Sequence, residues 1–260
     1  MSGSSGPERR QADSAGVPWA GRTLAPNPFA GDDGSPAPAV DAALARWAAV
    51  DPVDAAARLR AAAEVVAALA GTRVFAPVVA VLGEAEVVAA GPAGDKSADM
   101  ALALLTRDDG RRALPLFTGL ERLAAWRADA RPVPVEAARA ALSGVQERCE
   151  ALVLDPAGPV RFVVPRPAVE ALARQGTWTP APFDEEVASA ARAAVADLPA
   201  VRSVAVEAGE RAELRLVLGL VPGLDREALS AVTAQAGERL AASRVVAERA
   251  SSLELRLVQA

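Results

Sequence analysis

The chain has 260 residues, 52% of them hydrophobic, with 28 basic against 33 acidic side chains and neither histidine nor tyrosine. That apolar content supplies cores for two ordinary domains and excludes wholesale disorder, and a net charge of −5 offers no basic field to a phosphate backbone. Without histidine, Ser-His and Cys-His dyads cannot be built and a zinc site would need carboxylates alone, so most hydrolase and metalloenzyme designs fall away.

Residues 1–37 read as a flexible arm. Its opening, MSGSSGPERRQADSAG, lacks the apolar run of a signal peptide, so a cytoplasmic location is expected. Pro26, Pro28, Pro36 and Pro38 forbid a long helix or a central strand. Within GVPWAGRTLAPNPFAGDDG, Trp19, Arg22 and Phe29 stand out as anchors for docking, either onto this protein's own body or onto a partner. Asp32-Asp33-Gly34 lacks the alternating ligand spacing of a calcium loop and reads as a solvated turn.

From Val40 the pattern turns helical through Trp47, and again from Val53 to Leu69, where Gly71 supplies the stop. Arg58, Arg60 and Glu64 interrupt the alanine-rich stretch, so it is a helix of a globular domain and not a membrane span. TRVFAPVVAVL (72–82) reads as a strand, with Pro77 placing it at an edge or a bulge. GPAGDKSADM (91–100) resembles a phosphate loop only superficially, because Asp95 separates the glycine from Lys96-Ser97 and a strand follows. Two readings stand for it: a charged turn, or a binding loop built on Lys96, Ser97 and Asp99, since Lys96 is the only lysine of the chain.

Residues 100–118 carry the clearest hairpin signal, two apolar runs around Asp109-Gly110. A short helix is expected over 119–126 and a longer one over 135–147, with Phe117 and Trp126 in the core. Cys149, flanked by Glu147, Arg148 and Glu150, has no cationic pocket or histidine of the kind that activates a thiol. Residues 151–165 form a strand pair turned at Asp155-Pro156 and Gly158-Pro159, and a helix from Pro167 to Arg174 closes a first domain over 38–174.

Residues 175–183 supply a linker. Beyond it the sequence repeats: ELRLV occurs at 213–217 and at 254–258, and the same offset of 41 carries Asp184 onto Asp225, Glu186 onto Glu227, Ser189 onto Ser230 and Glu207 onto Glu248. Each copy reads helix, strand, strand, with an aspartate cap and acidic first turn, so residues 184–260 are expected to stack two αββ units into a four-stranded antiparallel sheet with two helices on one face. A ferredoxin-like βαββαβ arrangement, with a strand at Thr177–Thr179, is the alternative. The fold class is α+β.

The segment GDKSADMALALLTRDDGRRALPLFTGLERLAAW (94–126), with ALVLDPAGPV (151–160), resembles the enhanced serine sensitivity (SseB) family, in particular its N-terminal domain. A hairpin ends in Leu114-Pro115-Leu116-Phe117-Thr118, a short helix ends in Trp126, and the later turn is Leu154-Asp155-Pro156-Ala157-Gly158. The arm and the GDKSADM loop are similar to those of longer actinobacterial members, and the resemblance covers about residues 15–174 and extends to the end of the sequence. It implies no catalytic residue; the family is named for a serine-sensitivity phenotype on overexpression and is distinct from the similarly named secreted translocon protein.

Together these observations predict a non-enzymatic interaction or regulatory protein without a cofactor, meeting a protein partner through the arm and the 91–100 loop. The alternative is a small-metabolite sensor, an amino acid for example, with the ligand held where the repeat-built domain meets the first. Neither nucleic acid nor a membrane is expected as a partner.

Overall fold

A computed structural model of the chain describes residue 29 and residues 31–80, 88–89 and 100–260. Residues 1–33 and 34–260 are two separate compact units. In the first, the Asp32 N–H donates to the Phe29 carbonyl at 3.1 Å. All that follows concerns the second.

Its first two helices lie where the periodicity places them. Helix α1 (Pro38–Ala49) has proline at its first position, where the missing N–H costs nothing. Helix α2 (Ala55–Leu69) is capped by Asp54, whose side chain accepts the Ala57 N–H, and ends before Gly71, which takes φ +69°. Strand β1 (Arg73–Ala80) is flanked on both sides, in the sheet order β2-β3-β1-β6 with β2 (Val88–Ala89) and β3 (Met100–Leu102). Pro77 is therefore in a central strand and not at an edge or bulge.

The register explains how it fits. Phe75 turns its N–H and C=O to Phe117, at 2.7 and 2.9 Å, and the Pro77 carbonyl two residues on accepts the Ala103 N–H on the same side. Toward β6 (Arg131–Glu136), Phe75 and Pro77 oppose Pro134 and Pro132. All three prolines thus occupy positions from which no N–H is asked for in the β1–β6 ladder. Residues 131–135, expected as loop and helix start, are this proline-studded strand, and the helix α4 (Ala137–Gln146) begins only after it.

A second sheet has the order β4-β5-β7-β8. Strands β4 (Leu105–Thr106) and β5 (Arg112–Leu116) form the expected hairpin, with Gly110 at φ +79°. The apolar run before it splits, since β3 pairs with β1 in the first sheet. Strand β7 (Ala151–Leu154) runs parallel to β5, and β8 (Phe162–Pro165) antiparallel to β7. Helix α3 (Leu120–Trp126), β6 and α4 make the crossover, and α5 (Arg166–Ala173) follows β8. Leu114, Leu116, Leu152, Leu154, Phe162 and Val164 face one core with α1, α2, α4 and α5. Phe75, Phe117 and Leu123 form a smaller cluster on the other side of β1, with Trp126 packed on Phe117 at 5.2 Å between ring centroids, as expected of both aromatics.

The 175–183 stretch is docked, not loose. Trp178 is buried in the first core, Thr177–Thr179 is not a strand, and a one-turn 3-10 helix, Ala181–Phe183, leads into the second core. There α6 (Glu185–Val195) and α7 (Arg226–Ala242) begin 41 residues apart, capped by Asp184 and Asp225. The sheet, however, is three-stranded and mixed, not four-stranded and antiparallel: β9 (Val201–Ala208) pairs antiparallel with β10 (Leu214–Leu220), and β11 (Leu253–Gln259) parallel with β10. The second counterpart of β9 is instead the helix α8 (Arg244–Arg249). The Val-x-Val alternation of 204–206 gives way there to RVVAER, whose Arg244 and Glu248 pair at 2.7 Å one helical turn apart. The duplication is αββ followed by ααβ, and the two helices become the crossover that a parallel β10–β11 pair requires.

Glu213 fastens this domain to the linker. At 8% exposure it is buried, and its carboxylate accepts the Ala181 N–H at 2.9 Å, the Ser251 N–H at 2.8 Å and the Ser251 hydroxyl at 2.6 Å. Among the described residues no helix is long and apolar enough to cross a membrane.

Candidate functional site

Of the residues that the sequence puts forward, Trp19, Arg22, Lys96, Ser97 and Asp99 lie outside the described residues; Phe29 is half-buried within the first unit. Two other constellations emerge from the fold. One is a buried polar lock. Because β5 and β7 are parallel, their ends emerge together, bringing Thr118 beside Asp155. Asp155 is 0% exposed and takes φ +47°, a conformation that aspartate tolerates better than most residues. It accepts the Thr118 N–H and hydroxyl, each at 2.9 Å, and the Arg122 guanidinium at 2.7 Å. Arg122 also pairs with Asp41 of α1. Burial lowers the Arg122 pKa, but its hydrogen bonds to Asp155 and Asp41 outweigh that and hold the pKa above the ordinary value. Every oxygen of Asp155 is occupied from within the fold, the arrangement of a structural lock.

The other constellation is a groove on the far face of the same sheet. The registers align Leu105, Ala113, Ala151 and Pro165 in one row and Pro115, Val153 and Val163 in the next. Every one is apolar, although a sheet with one face in water ordinarily alternates. This face is covered only in part: Pro115 is buried, Val153 half-buried, and Val163 is 51% exposed. The opposite wall comes from the second domain, through Ala247, Glu248, Ala250 and Ser251, and the space between is about 640 Å³, the size of a small-molecule site.

Four arginines edge this floor, with Glu150, Glu170 and Glu248 among them. Arg107 and Arg111 share Asp109, at 3.8 and 2.8 Å. Arg166, at the first position of α5, is held by Glu170 at 2.9 Å and by the Cys149 carbonyl at 2.6 Å. Arg112 is half-buried and, among the described residues, makes no ion pair or side-chain hydrogen bond. Arg166 thus reaches the carbonyl just before β7, and Arg112, the first residue of β5, lines the same groove. Cys149 itself is buried, and burial pushes its thiol pKa up against the opposing pull of those arginines, the reverse of an activated nucleophile. Among the described residues no three His, Cys, Asp or Glu side chains are grouped to hold a metal ion. Chemically, the groove offers Arg112, and Arg166 held by Glu170, beside an apolar and partly exposed floor.

The family model described as SseB protein N-terminal domain matches residues 40–171. The chain belongs to the SseB family. Comparison with curated proteins and with solved structures returns no match. The SseB domain contains the whole lock, Asp41, Thr118, Arg122 and Asp155, and also the floor and arginines of the groove; the Ala247–Ser251 wall lies outside it. The motif residues that carry the resemblance, Phe117-Thr118 and Asp155, are those that join the ends of β5 and β7. The groove was not anticipated from the sequence, yet a signal for it exists: RALPL, ALVL and FVVP are apolar at both alternating positions, the mark of strands with two apolar faces.

Proposed function

We propose that this SseB-family chain is a non-enzymatic regulatory protein that works by binding, and that its interdomain groove takes an apolar molecule with a carboxylate head. One observation carries the reading: a half-covered, wholly apolar sheet face ends at a half-buried arginine that has no anionic partner among the described residues. A carboxylate between Arg112 and Arg166 relieves that desolvated charge, and the attached chain covers Val153 and Val163. Because the walls belong to both domains, occupancy alters how firmly they are held together. That change is what a protein partner reads, through the arm and the 91–100 loop.

Thermal unfolding with octanoate, and with 1-octanol as the uncharged match, tests this. Bound at 100 times its dissociation constant, octanoate adds ~2.7 kcal/mol of stability. The midpoint is expected to rise with octanoate in the wild type, and much less with octanol or in Arg112→Glu. No rise with any carboxylate from hexanoate to dodecanoate, or an equal rise in Arg112→Glu, refutes the reading.

A further inference from the structure

The three-stranded sheet of the second domain ends on β11, a seven-residue strand paired, among the described residues, on one side only. Native edges of this length are usually blunted by charge, proline or a bulge; LELRLVQ has no proline, lysine or bulge, and its two charges, Glu254 and Arg256, are of opposite sign. Its residues divide by face. Leu253, Leu255 and Leu257 lie against the second core yet stay half-exposed, and Glu254 and Arg256 point to the other face. The Leu214 N–H donates to the Ser252 carbonyl and the Ala260 N–H to the Leu220 carbonyl, so the even-numbered residues of β11 turn their backbone groups to β10. Residues 253, 255, 257 and 259 therefore present theirs outward.

We propose that β11 pairs antiparallel with β11 of a second copy of this chain, joining two three-stranded sheets into one of six strands. The strand is complementary to itself in one register. Centred on Leu255, a two-fold axis sets Leu255 against Leu255 and Leu253 against Leu257 as hydrogen-bonded pairs, extending the apolar face across the junction. The same register puts Glu254 opposite Arg256 twice, at the non-hydrogen-bonded positions where side chains approach most closely. Sliding by one side-chain repeat in either direction centres the axis on Glu254 or on Arg256 and places like charges face to face. Charge thus selects the register as well as the partner. Arg256 is exposed and makes no ion pair among the described residues, whereas Glu254 is held by Arg215 at 2.7 Å and accepts the Glu210 N–H at 3.0 Å.

Sedimentation velocity of the full chain over roughly 1–200 µM, the range in which a small strand-to-strand interface associates, tests the proposal. The wild type is expected to move from monomer to twice the chain mass across that range, and Arg256→Lys to follow it. Arg256→Glu, which sets Glu254 against glutamate at both ends, is expected to stay monomeric with an unchanged unfolding midpoint. Hydrogen exchange should show the Leu255 and Leu257 amides protected in concentrated wild type and not in Arg256→Glu. A wild type that stays monomeric throughout leaves the edge to a strand of some other protein, and overturns the proposal. So does an Arg256→Glu chain that dimerises like the wild type.

Discussion

Replacing Asp155 with alanine removes the acceptor for three donors at the junction of β5, β7 and α3. The Thr118 N–H, in a residue 2% exposed, is then left without a partner, at about 1–3 kcal/mol. The charge-assisted bond from Arg122 contributes about 1.5–3 kcal/mol more, moderated because Arg122 keeps Asp41. Alanine also accepts the left-handed backbone at φ +47° less readily than aspartate, so the expected loss is about 4 kcal/mol, a large share of the 5–15 typical of a folded domain. Asparagine keeps an acceptor for the Thr118 N–H and tolerates that backbone, and should cost about half as much. Urea unfolding at neutral pH, followed by far-ultraviolet circular dichroism, measures both. A loss below about 1 kcal/mol for alanine, or equal losses for the two variants, refutes the lock.

Glu213→Ala strands the buried Ala181 N–H and the Ser251 N–H, at about 3 kcal/mol, and should speed hydrogen exchange at these two amides; unchanged exchange contradicts its role as the clasp between linker and second domain. Cys149 should resist a disulfide exchange reagent until the protein unfolds, and immediate reaction would falsify its burial. Because the folded thiol has its pKa raised, the folded state holds the proton more tightly. The associated stability is complete below the unfolded thiol's pKa and declines as pH climbs above it. The unfolding midpoint of the wild type should therefore fall faster than that of Cys149→Ala above about pH 8.5, and parallel curves count against the assignment. Deleting residues 1–33 should abolish co-purification of a protein partner from the native host while leaving the unfolding midpoint nearly unchanged; an unaltered partner set rules out the arm as the contact.

What was legible in the sequence was chiefly local. The caps at Asp184 and Asp225, the stop at Gly71, the Asp109-Gly110 hairpin and the placement of Phe117 and Trp126 follow from neighbours a few residues away. What escaped depends on partners distant in the chain. Pro77 reads as an edge residue until Pro132 and Pro134 are seen opposite its strand, and residues 131–136 hardly read as a strand at all. The repeat identified two equivalent helix starts and two equivalent strands, but its conserved offset hid the conversion of one strand into α8. Glu213 sits in a repeated motif where its counterpart Glu254 serves a different purpose, one clasping the linker and the other pairing with Arg215. The candidate residues of the arm and of the 91–100 loop attract attention by being unusual, as the only lysine or as aromatics in a polar tract. The groove is built from ordinary valines, alanines and arginines that become a site only when four strands align them.

The groove is the centre of this account, and an octanoate titration followed by backbone amide chemical shifts tests it most directly. Shifts that saturate and cluster at Arg112, Ala151, Val153, Val163 and Ser251, and that vanish in Arg112→Glu, are the predicted result. Saturable shifts elsewhere in the molecule, with these five amides unmoved, would contradict it.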